Sequence, residues 1–182
     1  MATTGDTQSG CWDAFYEKHD SKFFKDRAWL FTEFPRLNPE ISPKLSVLEV
    51  GCGNGSNVIP LLEASKECPD YKIFAFDFAS KSVEMVKNNE KVIAAKNRSD
   101  IFLHDLSSDE KIPVAENSID CIICTFVLSA LPKERMKQAV SKMASCLKIG
   151  GEIFFRDYGR HDMAQLRFKP NRVVGENFYS RG

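Results

Sequence analysis

The chain has 182 residues, 43% of them hydrophobic and 27% charged, which suits one globular domain with a sizeable core rather than two. Lysines and arginines number 25 and acids also 25, so the zero formal charge excludes a wholly basic nucleic-acid clamp and leaves room for a local basic patch. The opening MATTGDTQSG carries no secretory or mitochondrial signal, and no apolar run approaches the roughly 18 residues of a membrane span, so a cytoplasmic or nuclear protein without a membrane partner is expected.

Residues 1–44 form a segment of their own character, dense in aromatics and bases. Trp12 and Tyr16 are four apart, as are Phe15 and His19, which predicts a helix with an aromatic stripe. Spacing alone reads such a stripe as core packing. Further on, Lys22, Lys25 and Arg27 interleave with Phe23, Phe24 and Trp29, bases alternating with stackable rings. The same pattern also describes a solvated face.

From Leu45 onward, short apolar runs alternate with amphipathic stretches, the pattern of βαβ units around a mainly parallel sheet. LSVLEV is the first strand, SNVIPLLEASKE the helix after it, and YKIFAFDF the second strand. SKSVEMVKNNEKVIAAK reads as one helix from Ser80, followed by the strand SDIFLHDL. IDCIICTFVLSAL is too apolar for a surface strand and belongs in mid-sheet. KERMKQAVSKMASCLK is a helix that Gly150 and Gly151 are expected to end, and GEIFFRDYG is a fifth strand. The fold class is therefore α/β, with residues 45–182 as the main domain. Cys121 and Cys124 make a C-x-x-C, but residues three apart on a strand face opposite ways, so they read as core and not as metal ligands.

Between the first strand and its helix, Gly51, Gly53 and Gly55 follow G-x-G-x-G, a turn that brings bare backbone against a ligand. The dinucleotide fingerprint needs a glycine where Ser56 stands, which disfavours a pyrophosphate. Asp77 ends the second strand and Asp105 the third. For an adenosine-bearing cofactor, Asp77 is suited to accept both ribose hydroxyls, Asp105 the adenine amino group, and the Leu106 amide a ring nitrogen. The alternative is that both acids merely end their strands as turn residues.

Taken together, these residues resemble the class I S-adenosylmethionine-dependent methyltransferases over residues 45–157. More narrowly, WDAFY, KFFKDRAWL, EVGCGNG, FDFAS, FVLSA, FFRDYGRHD, QLRFK and ENFY, in that order, look like the tRNA 3-methylcytidine methyltransferases of the methyltransferase-like group. The resemblance implies a Rossmann-like fold and methyl transfer from S-adenosylmethionine, leaving S-adenosylhomocysteine, to N3 of cytidine 32 in the tRNA anticodon loop. It implies that Trp12 and Tyr16 cover the cofactor, that Gly51, Gly53 and Asp77 hold it, that Asp105 and Leu106 hold adenine, and that Thr125 lines the pocket. An aminoacyl-tRNA synthetase or other accessory protein is a further partner it allows. It also implies C-terminal antiparallel strands after ENFY, whereas the sequence ends at Gly182, so an uncovered fifth strand is expected.

Methyl transfer needs a lone pair aligned behind the methyl group and no metal, so the protein's work is positioning and exclusion of water. Methylated cytosine is cationic, and Asp157 and Tyr158, just past the fifth strand, are the candidate catalytic residues. The alternative is a strand end in which Arg156 and Asp157 form a structural pair. N3 lies on the pairing edge, so the base must be turned out of its stack. Lys22, Lys25, Arg27, Arg160, Arg167 and Lys169 are the candidate phosphate-binding rim. A methyltransferase for a small molecule or protein, and a non-catalytic tRNA- or partner-binding protein, remain as alternatives.

Overall fold

The computed structural model describes residues 12–13, 29–176 and 178–179. Its centre is a parallel sheet of β1 (Ser46–Val50), β2 (Lys72–Asp77), β3 (Ser99–Leu103), β4 (Ile119–Thr125) and β5 (Leu147–Arg156), in the order β3-β2-β1-β4-β5. Chain order reverses between β1 and β4, which makes the carboxyl end of β1 the switch point where such sheets take ligands. Val50 lies in register with Phe76 on one side and Cys124 on the other, so the strand ends there are level.

Strand alternation sends side chains into two cores. Val47, Ile73, Cys121 and Ile123 meet helices α2 (Val58–Ala64), α3 (Ser80–Lys87) and α4 (Glu90–Ala94) on one face. Leu48, Phe76, Ile122 and Cys124 meet α5 (Lys133–Cys146) on the other. Cys121 and Cys124 thus face apart, and burial pushes their thiols up to about 11 and about 12. The short helix α1 (Leu30–Glu33) and the following turn bury Leu30 and Leu37 in the first core, and the Tyr71 hydroxyl donates to the Leu37 carbonyl at 2.8 Å.

Three boundaries differ from the sequence reading, each for a local reason. The expected helix over residues 80–96 is two helices, because Asn89 takes an extended backbone and its side chain caps α4 by accepting from the Lys91 amide at 3.0 Å. β4 ends at Thr125, since Phe126 turns to φ +60° and residues 128–130 form a 3₁₀ turn. α5 stops at Cys146, not at the glycine pair. Gly150 and Gly151 lie inside β5, where register jumps from Ile119↔Leu147 to Cys121↔Glu152, and Gly150 takes φ +80° in that bulge.

β5 ends the strand order among the described residues, and not one of its ten residues is buried. Past it come α6 (Met163–Arg167) and a separate antiparallel pair, β6 (Val173–Gly175) with β7 (Phe178–Tyr179), which does not join the main sheet. No helix among the described residues is long and apolar enough to cross a membrane.

Candidate active site

At the switch point the glycine turn takes a left-handed course, with Gly51, Gly53 and Gly55 at φ +67°, +53° and +82°. Glycine alone visits this region without a steric cost. A Cβ on Gly51 would stand 2.6 Å from Val127 Cγ2, so the turn also passes too close to the loop after β4 for any side chain. Beneath it, the buried amide of Asn57 donates to Glu49 Oε1 at 2.7 Å and to Thr125 Oγ1 at 3.4 Å, tying α2's start to β1 and β4.

Asp77 faces this turn from the end of β2. Its Oδ2 accepts from the Gly53 amide at 2.9 Å and its Oδ1 from the Ala79 amide at 3.0 Å. A carboxylate oxygen can accept more than one hydrogen bond, so these amides do not by themselves exhaust the group. Burial raises its pKa, and the Ala79 and Gly53 amides hold the rise back by stabilising the charge. Cys52 inside the turn is pushed well up by burial and by the Asp77 and Glu49 carboxylates, so it remains an unreactive thiol.

The pocket over these groups is walled by Gly51, Phe76, Asp77 and Phe78 on one side and by His104, Asp105, Leu106 and Ser107 on another. Asp105 Oδ1 is occupied by its own turn, accepting from Ser107 N at 2.8 Å and Ser107 Oγ at 2.7 Å, which leaves Oδ2 for an amino group. The His104 imidazole packs edge-on to Phe76, and burial lowers its pKa. Trp12 closes the pocket from the N-terminal side. Beside it, Asp13 Oδ1 accepts from the Lys81 amide at 3.1 Å at the first turn of α3. The loop after β4 adds Phe126, Val127, Ala130 and Leu131.

The pocket therefore gathers Trp12, Gly51, Asp77, Asp105 and Leu106 from the sequence candidates. Gly53 stands behind it as a donor to Asp77. Thr125 does not line it: the hydroxyl is buried beneath, bonded to Asn57, and Phe126 and Val127 form that wall instead. Tyr16, Lys22, Lys25 and Arg27 lie outside the described residues. Asp157 is bound to backbone amides, Oδ2 to Ser129 at 3.0 Å and Oδ1 to Tyr158 at 2.8 Å. It does not pair with Arg156, whose guanidinium reaches Glu33 at 2.7 Å and lies 4.3 Å over the Trp29 ring. Arg160, Arg167 and Lys169 are exposed and enter no ion pair among the described residues. Sequence reasoning gave no role to Phe78, His104 or the 126–131 loop, although the FDFAS, HDL and FVLSA runs that hold them were in view.

Residues 47–151 match the family model described as a methyltransferase domain. The chain belongs to the methyltransferase family. The chain is 42% identical over 178 residues to a Drosophila melanogaster protein named tRNA N(3)-methylcytidine methyltransferase, covering 94% of the chain and 54% of that relative. A Schizosaccharomyces pombe protein of the same name is 41% identical over 175 residues, covering 94% of the chain and 56% of that relative. The chain thus spans little more than half the length of these curated relatives. Among solved structures, a DhpI complex with SAM superposes with a TM-score of 0.60 at 16% identity, covering 92% of this chain and 72% of that one. At that identity the likeness shows the fold, a Rossmann-like methyltransferase sheet.

Proposed function

We propose that this methyltransferase transfers a methyl group from S-adenosylmethionine to N3 of a cytidine in tRNA, with cytidine 32 as the position. The observation that carries the cofactor is the Asp77 carboxylate, held by the Gly53 and Ala79 amides at the wall of the pocket beside the glycine turn. Two adjacent acceptor oxygens suit a pair of ribose hydroxyls and repel a phosphate. Asp105 Oδ2 suits the adenine amino group, with the ring between Phe78 and the apolar loop of Val127 and Leu131. The names of the curated relatives support the tRNA substrate, and a yeast relative named tRNA(Thr) (cytosine(32)-N(3))-methyltransferase, 40% identical over 177 residues, supports the position.

When bound, S-adenosylmethionine supplies a methyl group on a sulfonium, which the N3 lone pair takes as the carbon–sulfur bond breaks, leaving a neutral thioether and a cationic cytosine. The residues of this chain bind and orient. Asp77 fixes the ribose, Trp12 and the 126–131 loop keep water from the methyl group, and Asp157, bonded to the Ser129 amide of that loop, offers negative charge to the base as it becomes cationic. Arg160, Arg167 and Lys169, exposed and without ion pairs among the described residues, are candidates for phosphate contacts, with Lys22, Lys25 and Arg27 of the N-terminal segment. An aminoacyl-tRNA synthetase or other accessory protein, and a cytoplasmic or nuclear location, belong to the same reading.

The test is nucleoside analysis of unmodified tRNA incubated with the chain and S-adenosylmethionine. Appearance of 3-methylcytidine at position 32 supports the proposal. Cofactor binding with methyl transfer to a protein or small molecule and none to tRNA would overturn it.

A further inference from the structure

We infer that Phe126 and Tyr158 form an aromatic platform that stacks the acceptor base at the mouth of the cofactor pocket, an assignment that rests on the RNA-methylation reading above. Phe126 is the first residue after β4 and stands at φ +60°. A bulky residue is rarely found there, because its Cβ crowds the following carbonyl. The ladder holds it in place: its amide donates to the Arg156 carbonyl at 2.8 Å, continuing the β4–β5 pairing one step past the strand. Departures of this kind persist where surrounding structure enforces them, and they gather at functional sites.

Burial does not repay this strain, since Phe126 remains 38% exposed while lining the pocket. Its ring meets that of Tyr158 at a centroid distance of 5.0 Å and a tilt of 48°, and Tyr158 is itself 40% exposed. Tyr158 is anchored in turn, because its amide donates to Asp157 Oδ1 while Asp157 Oδ2 accepts from Ser129 in the loop that carries Phe126. The two rings are thus fixed to one another through Asp157 and the β4–β5 ladder, one lining the pocket and the other packed beside it.

Two half-exposed aromatic faces beside a carboxylate suit one kind of guest, a flat ring that has left its own stack and that gains positive charge. Stacking on aromatic side chains is tolerant of base identity and holds single-stranded bases. The ring quadrupole also attracts a cation, so the platform favours the methylated base more than the neutral one. Substrate stacking by Phe126 therefore acts on the acceptor, and Asp77 on the cofactor.

The test compares the whole chain with Phe126→Gly, Phe126→Leu and Phe126→Tyr. Four quantities are read: melting temperature, S-adenosylhomocysteine affinity by calorimetry, tRNA kinetics, and anisotropy of a short cytidine-containing single-stranded RNA at saturating S-adenosylhomocysteine. Glycine accepts a positive φ, so Phe126→Gly is expected to melt at or above the wild-type temperature. It should keep cofactor affinity within about threefold while RNA affinity and kcat/KM fall about tenfold or more, the scale of one lost base stack. Phe126→Leu, which keeps bulk without a π face, should lose as much, and Phe126→Tyr should recover to within about threefold of wild type. Unchanged RNA affinity in the glycine and leucine variants overturns the platform. So does a fall in cofactor affinity equal to the fall in RNA affinity, which would make Phe126 cofactor wall alone. If the wild type forms no 3-methylcytidine, the methylation reading fails, and the oligonucleotide affinities still decide the stacking assignment.

Discussion

β4 and β5 are neighbours in one sheet, yet six of the seven residues of β4 are buried and none of the ten of β5 is. β4 sits between two strands with a core on each face, whereas β5 has, among the described residues, a strand partner on one side only and carries Ile149 and Phe155 at the surface. The difference teaches where the molecule keeps its precision. The glycine turn, Asp77 and the buried Glu49–Asn57–Thr125 bonds all lie at the carboxyl ends of β1, β2 and β4, where packing from both faces fixes them. Asp157 and Tyr158, by contrast, follow the exposed strand and are fixed by contacts with the loop after β4.

The contrast breaks first at Gly51. Gly51→Ala puts a Cβ 2.6 Å from Val127 Cγ2 at φ +67°, and the two costs together predict a loss of about 2–5 kcal/mol in unfolding free energy. Denaturant unfolding measures it. A loss below about 1 kcal/mol would mean that the switch point is as yielding as the edge.

Asp77→Asn should weaken S-adenosylhomocysteine binding by about 1–3 kcal/mol in calorimetry, since a charged acceptor becomes an amide. Its effect on stability has the opposite sense. The folded pKa of Asp77 is raised, so the fold favours the protonated acid, and ionisation opposes folding progressively as pH climbs from the unfolded value of 3.8 through the raised one. The variant should therefore gain stability relative to wild type over that interval and hold the gain above it. Melting curves between pH 4 and pH 8, run on both proteins, check the sign. A variant that loses stability as pH rises would assign the carboxylate a net favourable charge in the fold.

Asp13→Ala removes an acceptor from the first turn of α3 beside Trp12, and a cost of about 1 kcal/mol in cofactor affinity is expected, read as faster release in stopped flow. Unchanged release would detach Trp12 from cofactor retention. The smallest effect belongs to β5. Glu152→Gln breaks the 2.6 Å pair with Arg36, but both groups are substantially exposed, so a change within about 0.5 kcal/mol is expected at physiological salt. A larger loss would show that the edge strand depends on that pair.

Much of the site was legible because glycines and strand-ending acids announce themselves by position. Gly51, Asp77, Asp105 and Leu106 line the pocket that the alternation of strands and helices predicted. Thr125 stays off the pocket wall for a reason of geometry. Strand alternation continued from Cys124 gives no warning that Phe126 turns to φ +60° and takes the wall, leaving Thr125 below it with Asn57. Arg156 likewise has an acid next to it in sequence, but its partner Glu33 is 123 positions away.

The sequence by itself determined the parallel sheet, the glycine turn at its switch point, and the opposed faces of Cys121 and Cys124, because these follow from periodicities of two and 3.6 and from residues with special backbone freedom. Only the tertiary structure decided which atoms meet. It set both oxygens of Asp77 against the Gly53 and Ala79 amides, spent one oxygen of Asp105 on its own turn, placed Gly150 in a bulge where a helix end was expected, and brought Phe126 against Tyr158. The Gly53, Gly150 and Phe126 contacts join segments distant in the chain or follow a turn enforced by a neighbouring strand, about which local patterning carries no information.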